Sequence, residues 1–432
     1  MIDIKSLREK PEEYKSSEVR RGRDGSLVTK ALDFDVKWKS SQLVLESLNR
    51  NRNVVSQEIN ACKKAKEEAK AKEKISEMKT VIENIAKEEE KASELKNNRD
   101  NCLKSIGNIL DPSVPSGKDE SENVVIKTVG KIPKFDFEVK DHIDLAEELD
   151  LIDLDTAAKV SGARFFYLKN EAVLLDMALQ KYAVDLLVEE DFNPIWVPFM
   201  LNRSALEGGV NLSEFQDTIY KIEDEDLYLI GTSEHPLVAL HKDDVLNKKS
   251  LPLKMCGIST CFRKEAGSHG RDDKGIFRVH QFNKIEQVMY VLPENSKKFF
   301  DYLQSLSEKI FSNLGIPYQV VNICTGDIGN KQALQYDIEA WFPGQDDGKG
   351  RFREVTSCSN CTDYQAVTLN TKYSEDSGEK KYVHMLNNTA IATSRAMAAI
   401  IENYQTKEGN IKIPKVLVPY MNGLKEIKKK KK

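Results

Sequence analysis

No run in this chain approaches the roughly 20 consecutive apolar residues that a membrane-spanning helix needs. The longest candidate, AVLLDMAL at 172–179, is interrupted by Asp176. The opening MIDIKSLREKPEEY carries acidic residues and lacks the apolar core of a secretory signal, so no membrane partner is expected. Cysteines are few and odd in number, seven in 432 residues. That count argues against a disulfide framework and for a reducing, intracellular setting. Net charge is scarce too: 65 Lys and Arg against 69 Asp and Glu leave -4 overall. No global basic field announces a nucleic-acid partner, so any such surface must be local.

The most informative absence is that of helix breakers. Between Val36 and Gly107 there is no proline, and Gly107 is the only glycine; this is the composition of long helices. Apolar residues recur there at spacings of three and four: Leu45, Leu48, Val55, Ile59 and Cys62, then Ile75, Met78, Ile82 and Ile85, then Leu95, Cys102 and Ile106. Each half therefore carries one narrow stripe. Between the halves, KKAKEEAKAKEK at 63–74 has no large apolar residue and holds six Lys against three Glu. The pattern predicts a helical hairpin over about 37–106, turning near that segment, with helices of about 30 residues and roughly 45 Å. A dimerising or spacer coiled coil and a phosphate-facing arm are both open at this point.

DPSVPSGKDESEN at 111–123 reads as a linker. From 124 to 420, strand-like runs such as VVIKTVG, YLI and KMCGIST alternate with amphipathic helices such as 174–189, which predicts a second domain mixing α and β. Residues 421–432, ending KEIKKKKK, are expected to be a disordered basic tail.

Within the second domain, CFRKEAGSHGRDDKGIFRVHQFNKIEQVMY at 261–290 is two alternating runs joined by a polar loop. Alternation puts Arg263 and Glu265 on one face, and Arg278, Phe282 and Glu286 on one face of the return strand. Unpaired charges on a packed face cost several kcal/mol each, so a charged ligand is expected. Arginines suit phosphate and carboxylate oxygens, Phe282 offers a stacking face for a base, and Glu286 accepts from an ammonium or hydroxyl. Mutual surface salt bridges are the structural alternative.

Four segments in order carry a family resemblance. FRKE at 262–265 with the following FRVHQFNKIE resembles motif 2 of class II aminoacyl-tRNA synthetases, in the form of the seryl family. GTSEHPL at 231–237 resembles that family's serine-binding loop, and LNNTAIATSR at 386–395 resembles motif 3. Upstream, SGARFFYLKNEAVLLDMALQKYAVDLLVEEDFNPIWVPFM at 161–200 resembles motif 1, with Pro198 in the place of its proline. The family also carries a helical arm ahead of its catalytic domain, so the resemblance spans nearly the whole chain. It implies an α+β fold: an antiparallel sheet flanked by helices over 124–420, preceded by an N-terminal domain at 1–110 with an antiparallel coiled-coil arm.

The implied activity joins L-serine and ATP into seryl-adenylate, releases pyrophosphate, and passes serine to the 3' end of serine tRNA and of selenocysteine tRNA. The implied catalytic residues are Arg263, bridging the serine carboxylate and α-phosphate, and Arg395, early in a helix expected from about Thr389. Serine would be held by Thr232, Glu234, Arg263, Glu286, Asn387 and Thr389. ATP would lie on Arg263, Lys264, Glu265, Arg278, Val279, His280, Gln281 and Phe282, and on Glu354, Val355, Thr356, Ser357 and Arg395. Glu354 and Ser357, in EVTSCSNC, would hold Mg²⁺. A pocket that hydrogen-bonds the serine hydroxyl rejects alanine by about 10⁴-fold, while threonine must be excluded by shape.

The implied partners are serine, serine tRNA gripped by the arm through backbone shape and charge, and a second copy of the chain through motif 1. The type expected is cytosolic and eukaryotic. By spacing, Cys256, Cys261, Cys358 and Cys361 leave a zinc site open; the resemblance implies none. Two rivals remain distinguishable. A synthetase-like enzyme that loads another carrier would usually lack the arm, and an inactive binding protein would be expected to have lost Arg263, Glu286 or Arg395.

Overall fold

A computed structural model describes residues 1–210, 216–265 and 275–429, in two compact units, Met1–Ile109 and Leu110–Lys432. The polar loop predicted within the charged hairpin lies, at 267–274, outside the described residues. Among those described, no helix is long and apolar enough to cross a membrane.

The first unit opens with two short helices, α1 (Ile4–Glu9) and α2 (Pro11–Arg20), followed by the long pair α3 (Ser26–Lys64) and α4 (Glu68–Ser105). The hairpin turns at 65–67, inside the Lys-rich segment, but α3 begins ten residues earlier than Val36. Gly25, at φ 69°, takes the left-handed conformation that lets the chain turn into it.

The seam of α4 differs in one respect from the stripe predicted for it. Ala71, Val81, Ile85, Ala92, Arg99 and Leu103 are buried, whereas Ile75 and Ile82 are exposed at 38% and 52%. Two helices wound about each other select positions 3.5 residues apart. The series 71, 74, 78, 81, 85, 88, 92, 95, 99 satisfies that repeat; positions 75 and 82 fall one residue beside it. Polar pairs fill the seam where apolar residues are missing: Lys74 reaches Glu58 at 2.8 Å, and Ser41 donates to Glu88 at 2.6 Å.

At the root of the hairpin the buried Asp35 accepts two 2.8 Å hydrogen bonds from Arg8, with Arg99 and Lys39 each 3.4 Å away. Arg99 also lies over the Trp38 ring at 4.6 Å. Burial alone would raise the Asp35 carboxyl, but Arg8 and Lys39 bring it below the usual range.

The second unit is built on an eight-stranded sheet. Its strands are β1 (Val124–Val129), β2 (Asn193–Trp196), β3 (Leu253–Phe262), β4 (Gln281–Val291), β5 (Tyr318–Asn322), β6 (Leu334–Phe342), β7 (Arg351–Asn360) and β8 (His384–Ala392). Their order across the sheet is β1, β5, β6, β7, β8, β4, β3, β2, antiparallel throughout except for the parallel pair β2 and β3. Helices α5 (Glu171–Glu189), α7 (Ser296–Leu314) and α8 (Thr393–Asn403) share a core with one face, through residues such as Ile285, Met289, Ile338, Cys358 and Leu386. The short α6 (Glu234–Ala239) covers part of the other face in a smaller cluster with Met255, Val288 and Tyr290.

Two expectations change here. Residues 384–392 stay in a strand, so the helix of the third motif starts at Thr393 and not near Thr389. The expected disordered tail is ordered through Ile427: Glu426–Ile427 pairs with Ile411–Lys412, and Ile427 is buried at the core. One apolar residue between charges suffices to anchor a two-residue strand, which a compositional reading of KEIKKKKK overlooks.

Candidate active site

Strand register assembles the site. Directly opposed residues of antiparallel strands share a face, and alternate residues return to it. Glu286 of β4 opposes Thr389 of β8 on one side and Gly257 of β3 on the other. Phe282 and Lys284 of β4 therefore lie on that face with Glu286, as Asn387 does with Thr389. Odd-numbered residues of β4, such as Ile285 and Met289, point into the helical core. The face recurs in β7, where Ser359 opposes Asn387 and Ser357 opposes Asp337 of β6.

Glu354 reaches this face only because of an irregularity. Ile338 opposes Thr356 and Glu339 opposes Glu354, so Val355 is an extra residue in β7. In a regular strand Glu354 and Ser357, three apart, would face opposite ways; the bulge restores them to one side. A second register shift, between Thr389 and Ile391, closes β8 just before α8.

Arg263 follows directly on β3, its guanidinium 5.3 Å over the Phe282 ring and donating to the Gly231 carbonyl at 3.2 Å. Glu265 holds a positive φ of 48°, an uncommon backbone state for a glutamate, and its carbonyl accepts from Arg164 at 2.9 Å. Arg278 approaches Glu265 at 3.9 Å, and its buried Nε has no hydrogen-bond partner among the described residues. Arg395, in the first turn of α8, contacts the Glu354 side chain at 3.2 Å and carbonyl at 3.1 Å. Arg395 and Arg353 flank the Phe277 ring at 4.9 and 3.5 Å. Three arginines are thus held on rings or carbonyl oxygens, positions from which a polyanion can draw them.

At the other end the groups are buried. Thr232 Oγ1 accepts from the Glu234 amide at 3.2 Å and from Lys284 Nζ at 3.3 Å. Lys284 is 2.5 Å from Glu286 Oε2, and Thr389 Oγ1 donates to the same oxygen at 3.4 Å. Burial pushes the Glu286 carboxyl above the usual range, with Lys284 pulling the other way. Asn387 donates to Cys361 Sγ at 3.7 Å. The close approach of α6 depends on Gly257: a Cβ there would lie 2.6 Å from Ser233 Oγ.

Not every expected residue joins this face. Glu234 is the first residue of α6, where its carboxylate takes Lys331 at 2.5 Å and Gln365 at 2.8 Å. Glu234 therefore braces the loop instead of standing free for a substrate ammonium. Gln281 lies on the opposite face of β4, lining a cavity with Phe165, Asn283 and Met397. Val355 is in the core and Thr356 is buried on the far side of β7. Val279 is buried, and the His280 ring is pinned by Tyr220 at 3.0 Å, the Arg263 carbonyl at 2.7 Å and a stack on Phe165 at 5.0 Å. Lys264 sits 5.7 Å over Tyr220.

Lys284, Lys331, Asp337, Phe277 and Arg353 were missed from sequence. Only Lys284 left a signal, because the alternation that selects Phe282 and Glu286 also selects the residue between them.

The oxygen donors suit a hard cation. Asp337 is buried, its carboxyl raised well above the usual range by burial and by Glu354, against smaller opposing hydrogen bonds from Gln335 and Ser357. Two carboxylates and a hydroxyl on one surface are the donor set Mg²⁺ takes. No group of three or more His, Cys, Asp or Glu side chains fit to hold a metal occurs among the described residues. Cys256 and Cys361 are buried thiols pushed up to about 12 by desolvation.

Comparison with known proteins matches residues 1–110 to the family model "Seryl-tRNA synthetase N-terminal domain" and 219–404 to "tRNA synthetase class II core domain (G, H, P, S and T)". The chain is 47% identical over 428 residues to the serine–tRNA ligase of Methanocella arvoryzae, covering 98% of this chain and 99% of that one. The solved seryl-tRNA synthetase of Pyrococcus horikoshii complexed with ATP superposes with a TM-score of 0.89 at 44% identity, covering 100% of both chains. The cytoplasmic serine–tRNA ligase of Naegleria fowleri in complex with AMP gives 0.86 at 39%, covering 100% of this chain and 99% of that one. With archaeal proteins this similar, the expectation of a specifically eukaryotic type is not supported.

Proposed function

This chain belongs to the seryl-tRNA synthetase family, and from that premise we propose how its residues divide the work and with what partners. The reaction is that of a serine–tRNA ligase. A serine carboxylate oxygen attacks the α-phosphorus of ATP, the bond to the β-phosphate breaks and pyrophosphate leaves. A ribose hydroxyl at the tRNA 3' end then attacks the seryl carbonyl, and AMP leaves.

One observation carries the assignment: register brings Phe282, Glu286, Asn387, Thr389, Ser357 and Glu354 to one sheet face, with Arg263 at its edge. Arg263 lies between the buried polar end and the arginine-rich end. There it bridges the serine carboxylate and the α-phosphate, aligning the reactants and offsetting charge that grows in the transition state. Arg278 and Arg395 take the outer phosphates. Adenine stacks on Phe282 once Arg263 turns to the α-phosphate, and Glu265 reads its edge. Thr232, Glu286 and Thr389 take the serine ammonium and hydroxyl, with Asn387 beside them.

Glu354 and Ser357, backed by Asp337, would hold Mg²⁺; when bound, the ion screens phosphate charge. The exposed apolar residues Leu174 and Met177 of α5 and Trp196 of β2, the last 73% exposed, belong to the motif 1 segment and support a homodimer through it. The N-terminal hairpin receives serine tRNA, in the cytoplasm.

Serine-dependent exchange of labelled pyrophosphate into ATP, run against alanine, threonine, cysteine and glycine, followed by charging of total tRNA, tests the assignment. Exchange with serine alone plus charging is expected. Exchange without charging would move the carrier elsewhere, and no exchange by folded protein would leave only a binding role.

A further inference from the structure

The buried end of the site contains a cation that the reaction does not call for. Lys284 shares its strand face with Glu286 and lies 2.5 Å from Glu286 Oε2 and 3.3 Å from Thr232 Oγ1. Its side chain is 9% exposed and that of Glu286 2%. Those two oxygens are among the acceptors assigned above to the serine ammonium and hydroxyl. A buried carboxylate without a cation takes up a proton, and a protonated Glu286 presents no charge to an incoming ammonium.

We propose that Lys284 is a positioning residue for serine, holding the Glu286 carboxylate charged and aimed into the amino-acid subsite until the substrate ammonium arrives to share its oxygens. The proposal rests on the serine-site reading above and adds to it a residue that touches Glu286 and Thr232 and need not touch the reacting atoms. Thr389, on the other side of Glu286, keeps one oxygen oriented while the cations share the carboxylate.

Other charged and titratable groups face this pair. Glu234 and Lys331 act on Glu286, the first raising and the second lowering its carboxyl. His235, on α6, feels Lys284 and Arg263 and is held to about 3 chiefly by burial. Cys261 on this face and Cys358 behind it in the helical core are buried thiols raised chiefly by desolvation, and so uncharged at neutral pH. Glu234 is already matched with Lys331, which leaves Lys284 as the cation matched to Glu286.

Steady-state pyrophosphate exchange with wild type, Lys284→Met, Lys284→Arg and Glu286→Gln, from pH 6.5 to 8.5, tests this. Lys284→Met should raise the serine KM at pH 7 by about tenfold or more, since one unit of carboxyl shift is a tenfold change, while the ATP KM stays within about twofold. Raising the pH should bring the serine KM of Lys284→Met back toward wild type as Glu286 ionises. Lys284→Arg, which keeps a cation, should retain most of the affinity.

A serine KM for Lys284→Met within about twofold of wild type, or one raised equally at every pH, would overturn the proposal. If Glu286→Gln raises the serine KM while Lys284→Met does not, the serine-site reading stands and the role of Lys284 falls. If neither changes it, the site reading itself fails. Should Lys284→Met not fold, the same pH series on Lys284→Gln carries the test.

Discussion

Lys74, on the hairpin, lies 2.8 Å from both Glu58 and Glu77 with a third of its side chain in water; Lys284, in the sheet, lies 2.5 Å from Glu286 with 9% exposed. The two contacts look alike as distances and differ in what they control. Around Lys74 solvent screens every charge, so the pair helps to keep a long helix in register and little else. Around Lys284 burial leaves little solvent to screen the pair, so removing either group changes the charge of the other. The hairpin spreads its charge over replaceable pairs along a seam with a 3.5-residue repeat. The sheet concentrates a few charges where each determines its neighbour's state, and a substrate can exploit that.

The largest effect expected of this contrast is at Arg263. Arg263→Ala should lower serine-dependent pyrophosphate exchange by about 10³-fold, the scale of losing a group that stabilises developing charge. Arg263→Lys should not restore it, because an ammonium cannot make the bidentate contact. A loss below tenfold in single-turnover exchange would remove Arg263 from the chemical step.

Next in size is a cut through the hairpin. Ser41 and Glu88 touch across it at 2.6 Å, so residues 42–87 can be replaced by a short Gly-Ser bridge between those two positions. With most phosphate contacts gone, charging of serine tRNA should fall by about 100-fold, while serine-dependent exchange stays within about twofold. Loss of exchange as well would show that the hairpin and the sheet do not act independently.

Asp35 breaks the contrast, being the one place where the hairpin uses charge as the sheet does. Asp35→Asn leaves Arg8 without its carboxylate, while Arg99 keeps Asp100 at 2.7 Å, and should destabilise the first unit by about 2 kcal/mol, allowing for the solvent that reaches Arg8 and Lys39. Denaturant unfolding of the full chain, followed by helical circular dichroism, measures it. The Asp35 carboxyl is held below its ordinary value, so its contribution is complete above the unfolded value near pH 4 and is lost as pH falls through the lower folded value. The gap between variant and wild type should therefore close in acid and stay constant from pH 5 to 8.

The smallest effect separates two neighbours on α4. Val81 is 5% exposed and Ile82 is 52% exposed. Val81→Ala should cost about 1 kcal/mol and Ile82→Ala close to nothing, although isoleucine is the larger residue. Equal costs in the same unfolding experiment would restore the stripe through Ile82 that the sequence suggests.

Much of the architecture follows from local chemistry. Long helices follow from a stretch without proline and with glycine only at its end, the turn from a segment without large apolar residues, and the active face from alternation through Phe282 and Glu286. Those features depend on backbone propensity and on periodicities of 3.5 and 2, which are properties of neighbouring residues. Arg263, Phe282 and Glu286 were legible because each stands on a strand, or at its end, where period-two patterning holds; Asn387 and Thr389 were legible only through the resemblance to motif 3, since the pattern there suggests a helix where the chain keeps a strand.

What the tertiary structure alone decided are the places where the period breaks or where the partner is distant in sequence. The bulge at Val355 returns Glu354 to the face of Ser357, and no pattern within EVTSCSNC reveals an extra residue in a strand. Glu234 is taken by Lys331, 97 positions away, and Asp35 by Arg8 and Arg99, 27 and 64 positions away. A charged side chain in sequence is a demand for a partner. Which partner meets it depends on which side chains folding leaves within reach once water has gone.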